Sequence, residues 1–296
     1  MKKSLIFVLI VAVAFATLEP VSSLPVFTGV NAFAITAIRF LIGSLILVPF
    51  SIAEVRKKQL KITARDWAVM GALGTLEIAV SMNLLQFAVQ VVRDAGKTPA
   101  NVAIIFCSNS LLTILLSTLI LREKFTKRKL LAAALGAIGL CFCVSFKGSD
   151  GWISSLLALL AALMFSLYTV LSKKYAAKFS GVVMTGFSFL IGSVVLIVGL
   201  LIAGVDLTAN LGVYNLPQLL YLGVVVTGIG YVCYFLAIDA WSMMAASLAF
   251  FIKPVLTPFM VWLIKGTAPT DPKLFIAIAF VVAGSVTAVL KPKERS

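Results

Sequence analysis

Apolar stretches about 20 residues long recur through all 296 residues of the chain, separated by short polar connections. That recurrence restricts the fold more than any other feature, because a bilayer core about 30 Å thick is crossed by roughly 20 helical residues. Such windows lie at 4–18, 31–53, 67–88, 99–121, 130–146, 152–171, 182–203, 216–238, 244–264 and 272–290. The expectation is an all-α membrane protein with ten transmembrane helices. No connection is long enough to form a soluble domain.

Composition agrees: 61% of residues are hydrophobic and 12% charged, whereas soluble domains run near half apolar and a quarter charged. The net charge of +14 would suit a nucleic-acid partner only if the cations shared one folded face. Instead they fall in short runs between apolar segments, so the expected partner is the lipid bilayer and not nucleic acid. Counted over alternate connections, 18 Lys and Arg lie on the side of the N-terminus and 5 on the other. Positive charge collects on the cytoplasmic side, which predicts a multi-pass protein of the cytoplasmic membrane with both termini inside. Lys2, Lys3 and the Ala14-Phe15-Ala16 triplet imitate a secretory signal, but the first helix is expected to stay, because a later helix is its counterpart.

That counterpart belongs to an internal echo. Phe40-Leu41-Ile42-Gly43-Ser44 recurs as Phe189-Leu190-Ile191-Gly192-Ser193, Phe15 and Phe165 fall at nearly the same offset, and Arg122–Thr126 is answered by Gly266–Thr270. Five helices per half is an odd number, so the second copy crosses the membrane in the opposite sense. Two inverted five-helix repeats, 1–147 and 148–296, are the predicted organisation, a layout used by secondary transporters.

Chemistry is bounded mainly by what is missing. With no histidine, Ser-His and Cys-His nucleophile pairs and histidine metal sites are ruled out, and the four cysteines lie in apolar segments as small buried hydrophobes. Neither a phosphate-binding loop nor a metalloprotease or hydrolase motif is present. The glycines at 223, 228 and 230 read as sites of close helix packing or as a flexible point. No cofactor, metal or catalytic residue is expected, and the chain is not read as an enzyme.

The informative residues are charges inside the spans, each costing roughly 2.5 to 3.5 kcal/mol at a helix centre on the mildest scale. Arg39, Glu77 and Lys253 are each eight or more residues from a span end, too deep to snorkel. One reading makes them ion pairs that hold helices together. It leaves a surplus cation unless Glu19, at the outer end of the first helix, joins. The other reading is a polar cavity for an anionic or zwitterionic solute, with Glu77 as a proton acceptor.

Helical spacing supplies candidate walls for that cavity. Asn109, Thr113 and Ser117 are four apart on one face, and Thr227, Tyr231 and Tyr234 share another. Phe250, Lys253, Pro254 and Thr257 share a side of the ninth span, where Pro254 and Pro258 remove backbone donors and should break the helix. The candidate substrate-binding residues are therefore Arg39, Glu77, Asn109, Tyr231, Tyr234 and Lys253.

Three segments carry a family resemblance. "AITAIRFLIGSLILVPF" resembles the second helix of the EamA-type members of the drug/metabolite transporter superfamily, with Arg39 at their recurrent arginine. "LLALLAALMFSLYTVLSKKYA" is similar to their sixth helix, and "LSTLILREKFTKRKLLAAALGAIG" to their passage from helix four to five, where Glu123 and Thr126 match G-E-x-x-[ST]. Arg122 replaces the usual glycine, Thr267 stands where the second repeat has glutamate, and Lys253 fills a slot that often holds glutamate. The resemblance implies a ten-helix bundle with a central cavity lined by helices three, four, eight and nine, working by alternating access on amino acids, other metabolites or drugs.

The expected function is a secondary active transporter for a small organic solute, anionic or zwitterionic, an amino acid being one candidate. Proton coupling through Glu77 and a monomer or homodimer go with it. Two rivals are an intramembrane lipid-acting enzyme, for which Asp239 is the available carboxylate, and a non-transporting membrane subunit in which the buried charges are ion pairs.

Overall fold

Local sequence signals set the helix ends. The computed structural model describes residues 2–122, 127–143, 148–175, 179–240 and 243–289. Its elements are α1 (Lys2–Ala16), α2 (Leu18–Ser22), α3 (Ala32–Lys57), α4 (Ala64–Gly74), α5 (Asn83–Asp94), α6 (Ala100–Cys107), α7 (Asn109–Ile120), α8 (Lys127–Cys143), α9 (Gly148–Tyr175), α10 (Gly181–Ile202), α11 (Leu216–Leu220), α12 (Gly230–Ala240), α13 (Met243–Lys265) and α14 (Pro272–Val289). Two π-helical segments, Thr75–Met82 and Tyr221–Ile229, join α4 to α5 and α11 to α12. No strand occurs among the described residues. Six continuous helical stretches are long and apolar enough to cross a membrane: Ala32–Lys57, Ala64–Asp94, Ala100–Ile120, Asp150–Tyr175, Gly181–Ile202 and Leu216–Tyr234, with shorter apolar helices besides.

Asn31 caps α3 by accepting from the Phe33 amide at 2.8 Å, and Arg56 and Lys57 sit in its last turn, where cations oppose the helix dipole. Thr63 and Asp66 form a reciprocal capping box on α4. The stretch from Ala64 runs on to Asp94, beyond the apolar window, because the polar residues Asn83, Gln86 and Arg93 turn inward and are buried. Apolar side chains such as Leu45, Leu119, Val198 and Leu201 remain exposed, a surface that suits lipid better than water.

Packing brings the two echoed pentapeptides together. α10 lies against α3, and the Phe40 and Phe189 rings meet edge to face with centroids 4.9 Å apart. The Ser44 hydroxyl donates to the Leu41 carbonyl at 2.8 Å and Ser193 to Leu190 at 2.9 Å, the same bond in each copy. Gly43 packs on Thr227 and the Gly223 carbonyl in one π segment; Gly192 packs on Gly74, which opens the other. A Cβ on Gly74 would lie 1.9 Å from the Ser188 carbonyl oxygen, so this crossing admits only glycine. α1 rests on α12 and α13, α9 rests on α5, α6 and α7, and α14 rests on α8.

The prolines of α13 do not interrupt it; the helix runs through Pro254 and Pro258. The Thr257 hydroxyl donates to the Lys253 carbonyl at 3.0 Å, a side-chain bond within the turn the prolines weaken. The irregular backbone falls instead in the π segments, where the Thr227 hydroxyl reaches the Leu222 carbonyl five residues back at 2.9 Å.

Candidate functional site

Lys253, ten residues into α13, finds its counter-charge on the five-residue helix α2. α1 ends at Ala16, and α2 carries Glu19 inward to full burial. The Lys253 ammonium donates to Glu19 Oε1 at 2.7 Å, with side-chain exposures of 4% and 0%. An ion pair this dry is costly when its remaining polar atoms are left unserved. Glu19 Oε2 has no hydrogen-bond partner among the described residues. The ammonium also lies 5.3 Å from the centre of the Phe106 ring, whose negative face favours a cation.

Arg39 reaches the same place from α3. Its guanidinium carbon lies 4.5 Å from the Phe40 ring centre, Nε has no hydrogen-bond partner among the described residues, and the residue is 2% exposed. A small hollow of about 30 Å³ connects the two cations, walled by Arg39, Lys253, Phe15, Phe106, Phe165 and Tyr231 among others. That volume suits water and excludes an organic solute. Tyr231 is clamped between Phe15 at 5.3 Å and Phe189 at 4.9 Å, both ring centroid distances, so its ring is fixed by aromatic packing.

Glu77 sits on the first π segment, wholly buried, with neither carboxyl oxygen hydrogen-bonded among the described residues. It is not on the wall of the hollow, but lies within electrostatic range of Arg39, Tyr168 and Tyr231. It makes no ion pair with Arg39.

The structure therefore brings Arg39, Lys253 and Tyr231 around one chamber, with Glu77 behind it. Asn109 is buried at the start of α7, where its carbonyl accepts from the Ser166 hydroxyl at 2.8 Å, away from the chamber wall. Tyr234 is half-buried one turn beyond Tyr231 and is also off that wall. Glu123 and Thr126, which carry part of the family resemblance, lie outside the described residues, as do the side chains of Asp239 and Phe250. Tyr168, buried within electrostatic range of Glu77, is off the chamber wall, and its only sequence signal is a phenol in mid-span.

Comparison with known proteins adds identity to this geometry. The model of the EamA-like transporter family matches twice, over residues 2–145 and 152–290. An uncharacterized transporter of Clostridium kluyveri is 32% identical over 294 residues, covering 97% of this chain and 93% of that protein. The uncharacterized transporter YyaM of Bacillus subtilis is 25% identical over 244 residues, covering 79% and 76%. One crystal structure of a protein aligns over 99% of both chains with a TM-score of 0.68 at 20% identity, a likeness of fold.

Proposed function

The chain belongs to the EamA-like transporter family and is a multi-pass membrane protein, and from that premise we propose that it is a secondary transporter for a small anionic or zwitterionic organic solute. The observation that carries the reading is the shared chamber: Arg39 and Lys253, from α3 and α13, face one water-sized hollow deep between the helices. A purely structural ion pair accounts for Lys253 and Glu19, but it does not account for a second buried cation beside them.

Ten helices in two inverted halves, 1–147 and 148–296, form the proposed scaffold. The double match of the family model supports that division, as do the edge-on contact of Phe40 with Phe189 and the duplicate serine bonds. The π segments after Gly74 and around Gly223 occupy corresponding helices of the two halves. Their looser hydrogen bonding makes them the points at which the bundle bends to admit solute and to alternate its exposure. The solute's carboxylate or other anionic group lies against Arg39 and competes with Glu19 for Lys253. Tyr231 packs on the solute body, Glu77 exchanges a proton, and Asn109 and Tyr234 join the wall once the chamber opens. The bias of 18 basic residues to 5 supports cytoplasmic termini in the cytoplasmic membrane.

The test is uptake of a mixture of radiolabelled amino acids and small carboxylic acids into proteoliposomes of the purified chain. Glu77→Gln and the charge-free double variant Glu19→Gln, Lys253→Met should each fold, judged by a sharp gel-filtration peak, and each lose most uptake. Full uptake in both overturns the assignment of these residues.

A further inference from the structure

The larger hollow lies elsewhere. A cavity of about 400 Å³ sits at the end of the bundle where α5 gives way to α6, α9 begins and α13 finishes. Its wall includes Lys97, Asn101, Ser154, Ser155, Lys265 and Thr267, a polar lining in a chain that is 61% hydrophobic. Small-molecule sites commonly have volumes of roughly 300 to 1,000 Å³.

Its charges do not balance. Lys97 pairs with Asp150. Lys265 donates only to the neutral Ser23 hydroxyl, at 3.3 Å, and makes no ion pair with any described carboxylate. Arg93, on the last turn of α5, is within electrostatic range of Lys265. Its Nε donates to Asp94 at 3.0 Å, while Nη1 and Nη2 are buried without a hydrogen-bond partner among the described residues, on a side chain 3% exposed. Two cations thus lie close, one at the wall and one behind it, with donor capacity left over. α6 starts beside them with no side-chain cap, and Asn101 of its first turn is on the wall, so the dipole end of that helix adds to the positive potential.

We propose that this cavity is an anion-binding vestibule, separate from the central chamber, in which Lys265 holds a carboxylate or similar oxyanion, Arg93 behind the wall adds positive potential, and Lys97, paired with Asp150, shapes the rim. The chemistry is shared by a soluble organic acid and by the phosphate of an anionic lipid.

The probe is sodium malonate, exchanged for sodium chloride at constant ionic strength with the full chain in neutral detergent. The melting midpoint should rise saturably in the unmodified protein. Lys265→Gln should weaken apparent affinity at least five-fold, and Arg93→Gln, which acts through its potential alone, by a smaller factor. Lys273→Gln, which removes a charge outside the wall, should change it less than two-fold. If phosphatidylglycerol abolishes the malonate response, the occupant is a lipid headgroup; if the response persists, it is a soluble anion, and either result supports the site. A missing malonate response, or equal losses in Lys265→Gln and Lys273→Gln, overturns it. The readout is binding, so the proposal stands or falls apart from any transport result.

Discussion

The two hollows differ in how each settles its positive charge. In the central chamber Lys253 is bound to a carboxylate at 2.7 Å, 0% exposed, and the space left is about 30 Å³. In the vestibule Lys265 has a hydroxyl for a partner and the space is about 400 Å³. Deep in the bundle the Lys253 ammonium is given its own anion, while the more diffuse Arg39 guanidinium beside it lies over the Phe40 ring with no ion pair. At the bundle's end the penalty is smaller, and the positive charge is left for a visiting group. A charge that is satisfied internally must be released to act, whereas one that is unsatisfied acts by attraction alone.

The sharpest way to break this contrast is to remove one member of the deep pair. Lys253→Ala leaves Glu19 buried without a cation and should cost about 3 to 5 kcal/mol, seen as a large fall in melting midpoint in detergent. Adding Glu19→Gln to Lys253→Met should return most of that loss, because a neutral pair of similar size is well tolerated there. If the single and double variants melt alike, the pair is not coupled. Arg39→Met comes next: the guanidinium forms no ion pair, so its removal should move stability by less than about 2 kcal/mol while uptake falls at least ten-fold. In the vestibule, Lys265→Gln should shift stability by no more than about 1 kcal/mol, since a half-exposed ammonium loses little, and should register in anion titrations instead. Smallest is Asp150→Asn. It frees Lys97 at the rim and should tighten malonate binding two- to three-fold, measured by the same melting titration; weaker binding would mean Asp150 positions the rim.

The central site was partly legible in the sequence because charge inside an apolar run stands out. Arg39, Lys253, Glu77 and the need for Glu19 could all be read that way, and three of them do meet. Their spatial relation could not be read, since Glu77 and Arg39 look equivalent by depth yet only Arg39 walls the chamber. The π segments were invisible, because Thr75–Met82 and Tyr221–Ile229 contain nothing that favours a bond five residues back over one four back; in the structure they coincide with the close packing of Gly74 on Gly192 and Gly223 on Ile42. Conversely, Pro254 and Pro258 promised a break, and the helix runs through both. The vestibule was beyond reach from sequence. It is assembled from the ends of separate helices, and Arg93, Lys97 and Lys265 read as ordinary connection charges until folding places them together.

The meeting of Phe40 and Phe189 bears on how such a bundle could move. When two bodies swap roles by turning about a common line, matter on that line stays still while everything farther out sweeps an arc. In the proposed rocking of the two halves, the touching twin rings are assigned to that stationary line. A short chemical cross-link between these positions would then act as an axle, leaving turnover intact, whereas equal tethers placed toward either rim would jam it.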